Sequence, residues 1–450
     1  MNILFVAFEF PPLGGAGVQR SMYFVKYLSQ NGINPVVVTA LETDYVNVMP
    51  GHPIDKSLLN EIPENTIIER IHCKNLNFST DTTFKKLKNW LQMYFAVYEN
   101  FKKAWQDEVR KKLPELIKKY DAKAIYVSLP PFAMGPMWAE LKKENNLPLV
   151  VDFRDAWSQW CVAPNQSYFH YLKKLQVENN VLQTANAVVC SSKQIMKDLQ
   201  NQHKTVEKVK FNVINNGFDA ELNINDKLFI EQKDKIVIGY VGSFYYSPEA
   251  RESILMPWYK KPLHRMPHYV PRKEDWLYRS PHFFFLALKK LIDSNIEYKN
   301  KIEVRFAGKT PDWLLTQIES FGLTDLCKHY GYMNHSQVID FQNNCDALLI
   351  TSSKVIGGRD YSIAGKTYEY FTIGKPIIAF VCEGEQKDIL EESKMALICN
   401  PDNTVQSANN LQKLFNSEIT FAPNKEAILQ YQRKKLTTKL ASIIKQVTKN

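Results

Sequence analysis

The stretch GKTYEYFTIGKPIIAF, residues 365–380, contains a loop glycine, a short helix pattern, a Gly-Lys-Pro stop and an apolar strand. Gly365 lets a ligand approach the backbone closely, and the free N–H groups of the helix start form an anion site with Lys366. Lys366 and Glu369 share one helix face because they are three positions apart. A cation for phosphate beside a carboxylate for sugar hydroxyls suits a nucleotide-sugar pocket. An ordinary helix–turn–strand joint is the alternative.

The composition bounds the class of protein. A chain of 450 residues exceeds one hydrophobic core, so we expect two domains. The net charge of +10 favours an anionic partner, such as a nucleotide phosphate, a membrane surface or nucleic acid. The seven cysteines are scattered without a CxxC pair or zinc spacing, which is typical of free thiols in a reducing compartment.

The chain shows no sign of a leader or a membrane span. Its N-terminus is apolar but lacks a basic leader region, so it is interpreted as a first β-strand. No continuous apolar run reaches the length of a transmembrane helix. We therefore expect a cytoplasmic protein that can touch the inner face of the membrane.

Apolar runs alternate with helical patterns along most of the chain, which predicts an α/β fold with parallel, covered sheets. A polar stretch after VINNGFD marks the domain boundary. We predict an N-terminal domain at 1–222, a second domain at 223–423 and a final helical segment at 424–450. A helical pattern is also predicted at 84–120.

The loop after the first strand carries Gly14 and Gly15, with Arg20 at the following helix start. Glycines let a ligand reach a helix N-terminus, and an arginine can hold an anion with two hydrogen bonds. The pattern is not GxGxxG, which disfavours a dinucleotide cofactor. Ser128 ends another strand at the same edge. We predict that it and Arg20 contact the second substrate, the acceptor of a transferred group, and we assign Ser128 no catalytic role. A plain strand–helix turn is the alternative.

The segment DFRDAW, residues 152–157, follows an apolar strand, and ligands of open α/β sheets bind beyond such strand ends. Asp155 is a candidate acceptor for the proton of a hydroxyl, and Arg154 is a candidate phosphate ligand. An Asp–Arg pair that braces the loop is the alternative.

In the second half, Gly242 ends the strand GYVGS and is a candidate for close approach of the donor phosphates. Arg279 and Lys309 are cations near other strand ends, with surface charge as the alternative. The connection 245–282 is much longer than usual, and it is basic, proline-rich and aromatic. It is interpreted as a lid or a membrane contact, and less readily as a site for nucleic acid.

Six segments in order, FPPLGGAGVQR, DFRDAW, VINNGFD, GYVGSF, CDALLITSS and GKTYEYFTIGKPIIA, resemble the glycosyltransferases of the GT-B fold in the broad family four group. The resemblance implies two Rossmann-like domains facing a cleft and a C-terminal helix that crosses back to the first domain. It also implies transfer with retention, no metal ion and no cofactor besides a nucleoside-diphosphate sugar.

The resemblance assigns roles to individual residues. Glu369 takes the position of the glutamate that binds the nucleotide ribose, and Gly14 and Gly15 lie over the donor phosphates. Tyr361 stands where many members have a glutamate at the donor sugar. The usual Arg and Lys pair after GYVGS is absent, so Arg279 or Arg251 is its expected substitute.

The sequence thus predicts a glycosyltransferase that acts on a saccharide or lipid-linked acceptor in surface polysaccharide or lipopolysaccharide assembly. A sugar-nucleotide epimerase or phosphorylase on the same fold, and a non-catalytic module that binds polysaccharide or membrane, are the alternatives. A nucleic-acid partner is not expected.

Overall fold

The computed structural model describes residues 1–49, 51–73, 103–159 and 164–449. The chain forms two compact units, of which unit 1 comprises Met1–Asn216, Pro262–Pro271 and Arg433–Asn450. Unit 2 comprises Gly217–Lys261 and Arg272–Gln432. The unusually long connection predicted at 245–282 therefore contributes its middle to unit 1 and its two flanks to unit 2.

Unit 1 is built on a parallel sheet of apolar strands whose side chains are mostly buried on both faces, as parallel strands require. Its strands are β1 (Asn2–Val6), β2 (Asn34–Ala40), β3 (Ile67–Ile71), β4 (Ile125–Leu129), β5 (Leu149–Phe153), β6 (Ala187–Cys190) and β7 (Phe211–Val213). Its helices before the second unit are α1 (Ala16–Leu28), α2 (Glu42–Val48), α3 (Lys103–Tyr120), α4 (Gly135–Asn145), α5 (Tyr168–Thr184) and α6 (Lys193–Gln202).

The strand order of this sheet is β3-β2-β1-β4-β5-β6-β7. The direction of winding reverses between β1 and β4, where Phe5 is in register with Tyr126. Loops that leave neighbouring strands in opposite directions open a crevice at such a point. The glycine loop after β1 and the end of β4 lie at this position.

Unit 2 contains a second parallel sheet. Its strands are β8 (Ile236–Val241), β10 (Ile302–Ala307), β11 (Cys327–His329), β12 (Ala347–Thr351), β14 (Ile377–Phe380) and β15 (Ala396–Cys399), while β9 (Glu274–Asp275) and β13 (Lys354–Val355) form a separate antiparallel ribbon. Its helices are α7 (Pro248–Leu255), α8 (His282–Ser294), α9 (Glu297–Lys301), α10 (Asp312–Ser320), α11 (His335–Asn343), α12 (Gly365–Ile373), α13 (Glu385–Ser393), α14 (Thr404–Phe415) and α15 (Lys425–Leu429).

The second sheet has the order β11-β10-β8-β12-β14-β15, so its winding reverses between β8 and β12. Gly242 follows β8 at this point, and the loop after β12 leads to α12. One core of aliphatic and aromatic side chains fills the space between this sheet and its helices. Both sheets confirm the predicted α/β fold with two Rossmann-like units.

Short 3-10 helices occupy several connections: Ser29–Asn31, Lys56–Glu61, Phe132–Met134, Lys208–Lys210, Trp258–Lys260, Leu263–Arg265, Trp276–Arg279 and Thr324–Leu326. The last helix, α16 (Arg433–Lys449), belongs to unit 1 and packs on α1. Leu436, Leu440 and Ile444 recur every fourth residue on its buried face. Its start is fixed by the Arg433 guanidinium, which lies 3.6 Å from the centre of the Tyr23 ring.

The structure differs from the sequence prediction in two places. The stretch 224–235, interpreted as a polar linker, packs on unit 2. Ile224, Leu228 and Ile230 are buried, and the backbone of Leu228 is hydrogen-bonded to that of Phe421. The connection 245–282 is not one long loop, since it contains α7, β9 and several 3-10 turns.

The predicted helix at 84–120 is described from Lys103 onward as α3, and its first part lies outside the described residues. Among the described helices, none is long and apolar enough to cross a membrane.

Candidate functional site

The stretch 365–380 folds as its sequence predicts. Helix α12 begins at Gly365 and ends at Gly374, whose left-handed backbone (φ 71°) closes the last turn, and β14 follows. Tyr368, Tyr370 and Phe371 are buried beneath the helix, whereas Glu369 is exposed. The Gln386 side chain fixes the helix start by accepting from the Ala364 N–H at 2.8 Å. No side chain caps the first turn, in which the Thr367 N–H donates to the Ala364 carbonyl at 2.9 Å and the N–H groups of Gly365 and Lys366 are left for an anion.

Lys366 lies in an electrostatically unusual position. Its ammonium nitrogen is 3.7 Å from the centre of the Tyr240 ring at the end of β8. Removal from water lowers the pKa of Lys366 to about 7, and the nearby Glu369 carboxylate opposes this shift. A lysine that is easily neutralised gains its full charge when an anion arrives, which is the behaviour expected at a phosphate site.

Two strand ends meet beside Lys366. Gly242 has a φ of +97°, and a Cβ built there lies 3.5 Å from the Lys366 nitrogen. Gly308, at the end of β10, has a φ of +132°, and a Cβ built there lies 2.7 Å from the Gly242 carbonyl oxygen. Both positions therefore require glycine, which leaves the backbone bare beside the lysine. Lys309 follows on the exposed surface.

Glu274 in β9 organises a second polar cluster in unit 2. Its carboxylate is fully buried and accepts from Ser353 Oγ at 3.0 Å, from Trp276 Nε1 at 3.2 Å and from Arg279 Nη2 at 3.3 Å. The backbone of Arg279 is held as well, because its carbonyl accepts from Thr351 at the end of β12. The return strand of the long connection thus places Arg279 at the edge of the sheet.

The loop before α12 carries Asp360 and Tyr361, and both are buried. Burial raises the pKa of the Asp360 carboxyl above its usual value, with Arg279 opposing the shift. Tyr361 packs beneath the Arg272 guanidinium, which lies 4.8 Å from its ring centre. The position where relatives of the resembled family carry a carboxylate is therefore an aromatic surface covered by the long connection. Arg251, the other expected substitute, is paired with Asp275 through two hydrogen bonds.

In unit 1, Arg20 and Asp152 form a buried ion pair. Arg20 Nε and Nη2 each donate to one carboxylate oxygen at 2.8 Å, and Tyr126 adds a hydrogen bond of 2.6 Å. Arg20 Nη1 donates to the Asn215 carbonyl at 3.1 Å. The guanidinium predicted to hold the acceptor is thus largely occupied within the protein, which corresponds to a bracing role.

The Arg154 guanidinium is also occupied by hydrogen bonds within the protein. Its side chain donates to the carbonyls of Leu129 and Pro130, to the Gly17 carbonyl and to the Glu9 carboxylate. The guanidinium therefore connects three strand ends, which is the bracing role of the alternative with Glu9 in place of an aspartate. A Cβ at Gly17 would collide with the Glu9 carboxylate, so this glycine makes room for the ion pair.

Asp155 differs from its neighbours. It is exposed after β5, and its carboxylate accepts no hydrogen bond from the described residues. Desolvation by the surrounding protein raises the pKa of the Asp155 carboxyl above its usual value, and the positive charge of Arg154 opposes this shift. A carboxylate that is both accessible and more basic than usual can accept a proton, so Asp155 is chemically suited to the role predicted for it.

The other predicted residues of unit 1 lie at the edge where the winding reverses. Gly15 is exposed and has a φ of +105° directly before α1, while the Gly14 N–H donates to the Pro53 carbonyl at 2.8 Å. Ser128 is buried and its hydroxyl lies 3.4 Å from that of Ser21. Ser128 therefore faces the protein interior, and its predicted contact with an acceptor stays a prediction.

The structure separates the predicted residues into groups. Gly242, Lys366 and the first turn of α12 come together, with Glu369 on the same helix, while Arg279 and Tyr361 belong to the polar cluster around Glu274. Sequence reasoning missed Glu274 and Glu9. Glu9 had a local signal, since it lies three residues after the end of β1, but Glu274 sits in a basic stretch where nothing marks it as buried.

Two family models of known proteins match the chain, one mainly in unit 2 and the other in unit 1. The model of the glycosyl transferases group 1 matches residues 279–435, and that of glycosyltransferase family 4 matches residues 90–222. No curated protein sequence matches the chain.

Several solved structures share the fold. The chain resembles the lipopolysaccharide outer core galactosyltransferase WaaB in its apo form, with a TM-score of 0.58 and 12% identity over 99% of both chains. It also resembles an α,α-trehalose 6-phosphate synthase from Burkholderia multivorans, with a TM-score of 0.57 and 9% identity over 99% of both chains. For sucrose-phosphate synthase from Thermosynechococcus elongatus the TM-score is 0.55, with 12% identity over 99% of this chain and 97% of that one.

The buried pair in unit 1 gives a stability prediction. Asp152→Ala strands the Arg20 guanidinium without its bidentate partner, and we expect the free energy of unfolding of unit 1 to fall by about 3–5 kcal/mol. Urea unfolding monitored by unit 1 tryptophans measures the change. The control is Asp107→Ala on the exposed face of α3, where we expect a change within about 0.5 kcal/mol. Equal effects of the two substitutions contradict the assigned role of the pair.

Proposed function

Because the chain belongs to the family 4-like glycosyltransferases of the GT-B fold and is thus a glycosyltransferase, we propose that it moves a sugar from a nucleoside-diphosphate sugar to a saccharide or lipid-linked acceptor. The observation that carries this proposal is the Lys366 ammonium beside Gly242 at the open start of α12. We propose that the reaction serves surface polysaccharide or lipopolysaccharide assembly and proceeds with retention and without a metal ion.

The donor diphosphate binds at the first turn of α12. The free N–H groups there and the partial positive charge of the helix end favour an anion. Lys366 adds a cation, and the two bare strand ends at Gly242 and Gly308 allow phosphate oxygens to approach the backbone. As the glycosidic bond loosens, charge develops on the departing diphosphate, so these groups stabilise the transition state more than the ground state.

Glu369 binds the nucleoside ribose. It lies one turn after Lys366 on α12, and its exposed carboxylate accepts no hydrogen bond from the described residues. A carboxylate in this state can accept from two neighbouring hydroxyl groups, which a ribose provides. The nucleoside and the diphosphate are thus bound by residues of a single helix.

The sugar of the donor is recognised by a different set of groups from the family pattern. Tyr361, buried beneath Arg272, stands where a carboxylate is common and shapes this end of the pocket, and Arg279 supplies the cation, oriented by Glu274. The arginine donates to the sugar hydroxyls or to the diphosphate. Asp360 stays buried behind them.

The acceptor side of the reaction uses Asp155. The acceptor oxygen forms the new bond to the anomeric carbon while the bond from that carbon to the diphosphate oxygen breaks. The proton of the acceptor hydroxyl passes to a leaving-group phosphate oxygen or to Asp155. We place the protein in the cytoplasm, with peripheral contact to the membrane where a lipid-linked acceptor would lie.

The first test is donor binding and turnover. Thermal shift with UDP, GDP, ADP and CMP identifies the nucleotide, since a ligand that binds only the folded state raises the melting temperature. Glu369→Ala should abolish the shift, while Glu319→Ala, an exposed glutamate on α10, should retain it. Free nucleoside diphosphate released from the matching sugar nucleotide in the presence of EDTA then reports metal-free transfer. A full shift in the Glu369 variant contradicts the assignment of the site.

The lowered pKa of Lys366 predicts proton uptake on binding. At about pH 8.5 the free amine is mostly neutral, because its pKa is about 7, and a bound diphosphate raises that pKa by favouring the ammonium. Binding therefore takes up roughly one proton, and the affinity falls as the pH rises through this window. Calorimetry in buffers of different ionisation enthalpy measures the uptake. Lys366→Met should remove it and Lys413→Met, on exposed α14, should not; an unchanged uptake in Lys366→Met sinks the idea.

The role of Asp155 predicts a selective loss of turnover. Asp155→Asn removes the proton acceptor with little change of shape, and we expect kcat to fall by about 100-fold with the KM for the donor less affected. Asp107→Asn on α3 is the matched control and should leave kcat unchanged. If Asp155→Asn keeps near-full turnover, a phosphate oxygen of the donor takes the proton alone.

A further inference from the structure

Unit 1 exposes a group of large apolar side chains at the start of α5. Tyr168, Phe169 and Leu172 have 54%, 62% and 45% of their surfaces exposed. Because they are one, three and four positions apart, they lie together on one side of the helix. Lys173 reaches across this side, with its nitrogen 5.8 Å from the centre of the Phe169 ring. Apolar side chains clustered in this way on a soluble surface mark a contact site.

The middle of the long connection is fixed beside this helix. The Asn165 N–H donates to the Tyr269 carbonyl at 2.8 Å, and the Tyr269 N–H donates back at 2.9 Å. The Tyr269 ring centre lies 4.9 Å from that of Tyr168 and 4.8 Å from that of Tyr171. The segment Pro262–Pro271 is therefore an integral part of unit 1.

This segment adds a further apolar group and more positive charge. Leu263 is 84% exposed, which makes it one of the most exposed large apolar side chains among the described residues. His264 and Arg265 follow it and are also exposed. Leu263 and Arg265 belong to the segment that Tyr269 fixes beside Tyr168. We call these two residues, together with Tyr168, Phe169, Leu172 and Lys173, the aromatic–basic face.

The two stretches of chain that build the aromatic–basic face carry charge of one sign. The sequence has no Asp or Glu at 156–177, the stretch that includes the first half of α5, where Lys173 and Lys174 lie. The fixed segment Pro262–Pro271 has none either, and it contributes Arg265. Because both stretches lack acidic residues, they favour a negatively charged partner.

We propose that the aromatic–basic face docks on a bilayer that contains anionic lipids. Aromatic rings and leucines insert at the boundary between headgroups and acyl chains, while neighbouring Lys and Arg residues pair with lipid phosphates. Nucleic acid is a poorer occupant, because exposed leucines offer it neither stacking nor charge. The proposal rests on the proposed function only in that it accounts for access to a lipid-linked acceptor, and lipid binding itself requires no turnover.

Co-sedimentation with vesicles tests the proposal. The full chain should pellet with vesicles of equal parts phosphatidylglycerol and phosphatidylcholine, and much less with phosphatidylcholine alone. Phe169→Ser combined with Leu263→Ser, and separately Lys173→Gln with Arg265→Gln, should each weaken binding roughly tenfold. All four side chains are exposed, so these variants should fold. Tyr332→Ser, at a 93% exposed position in unit 2, is the control and should bind as the parent does.

Three outcomes overturn the proposal: equal binding to both kinds of vesicle, parental binding by both double variants, or release from vesicles by a single-stranded oligonucleotide at low excess. Nucleotide thermal shift on the same samples separates this test from that of the proposed function. Lost vesicle binding with an intact nucleotide shift confirms the docking face. Intact vesicle binding without any nucleotide shift contradicts the proposed function and leaves the docking face standing.

Discussion

The buried pair of Arg20 and Asp152 is the constraint on which unit 1 depends. Removing both charges from water costs several kcal/mol per ion, and only saturated geometry offsets that cost. Here the carboxylate receives two hydrogen bonds from the guanidinium and a third from Tyr126. The pair joins α1 to β5 across the point where the sheet reverses. Arg154 repeats the arrangement one loop away, with Glu9 as its counter-ion. Polar groups that serve in this way are not free for a substrate, which leaves Asp155 as the candidate proton acceptor at this edge.

The Lys366 ammonium of unit 2 is arranged differently from the paired arginines of unit 1. Lys366 lies over the Tyr240 ring beside two glycines, and its nearest carboxylate, Glu369, points to solvent one turn away. The lysine is desolvated without a saturating ion pair, so its pKa falls, and the proposed diphosphate would supply the missing counter-charge. Structural cations are paired in the free protein, whereas a binding cation is paired by its ligand. By this criterion the start of α12 is the candidate ligand site, whereas Arg20 and Arg154 of unit 1 are braces.

Sequence reasoning succeeded where the information was local. The bounds of α12 and β14 followed from Gly365, the Gly374 stop and an apolar run, all within sixteen residues. The partners of Arg20 and Arg154 lie 132 and 145 positions away, so no pattern in the sequence could separate a brace from a ligand. Glu274 was missed for a related reason, because its burial is produced by a ribbon with β13 that forms only in the folded unit. The connection 245–282 was anomalous in sequence, but its division between two units was not visible there.

The placement of the long connection explains why the sugar end departs from the family pattern. A carboxylate at position 361 would gain the Arg272 guanidinium as a counter-ion, but it would also directly follow the buried Asp360, and a second negative charge there is costly unless it is hydrogen-bonded as well as paired. Tyr361 avoids that repulsion and instead packs its ring against the arginine. The buried carboxylate at this edge is that of Glu274, which lies on the return strand of the same connection and accepts a hydrogen bond from Arg279. The connection and the altered position are therefore one structural change, since the strand that carries Glu274 also brings the arginine that covers Tyr361.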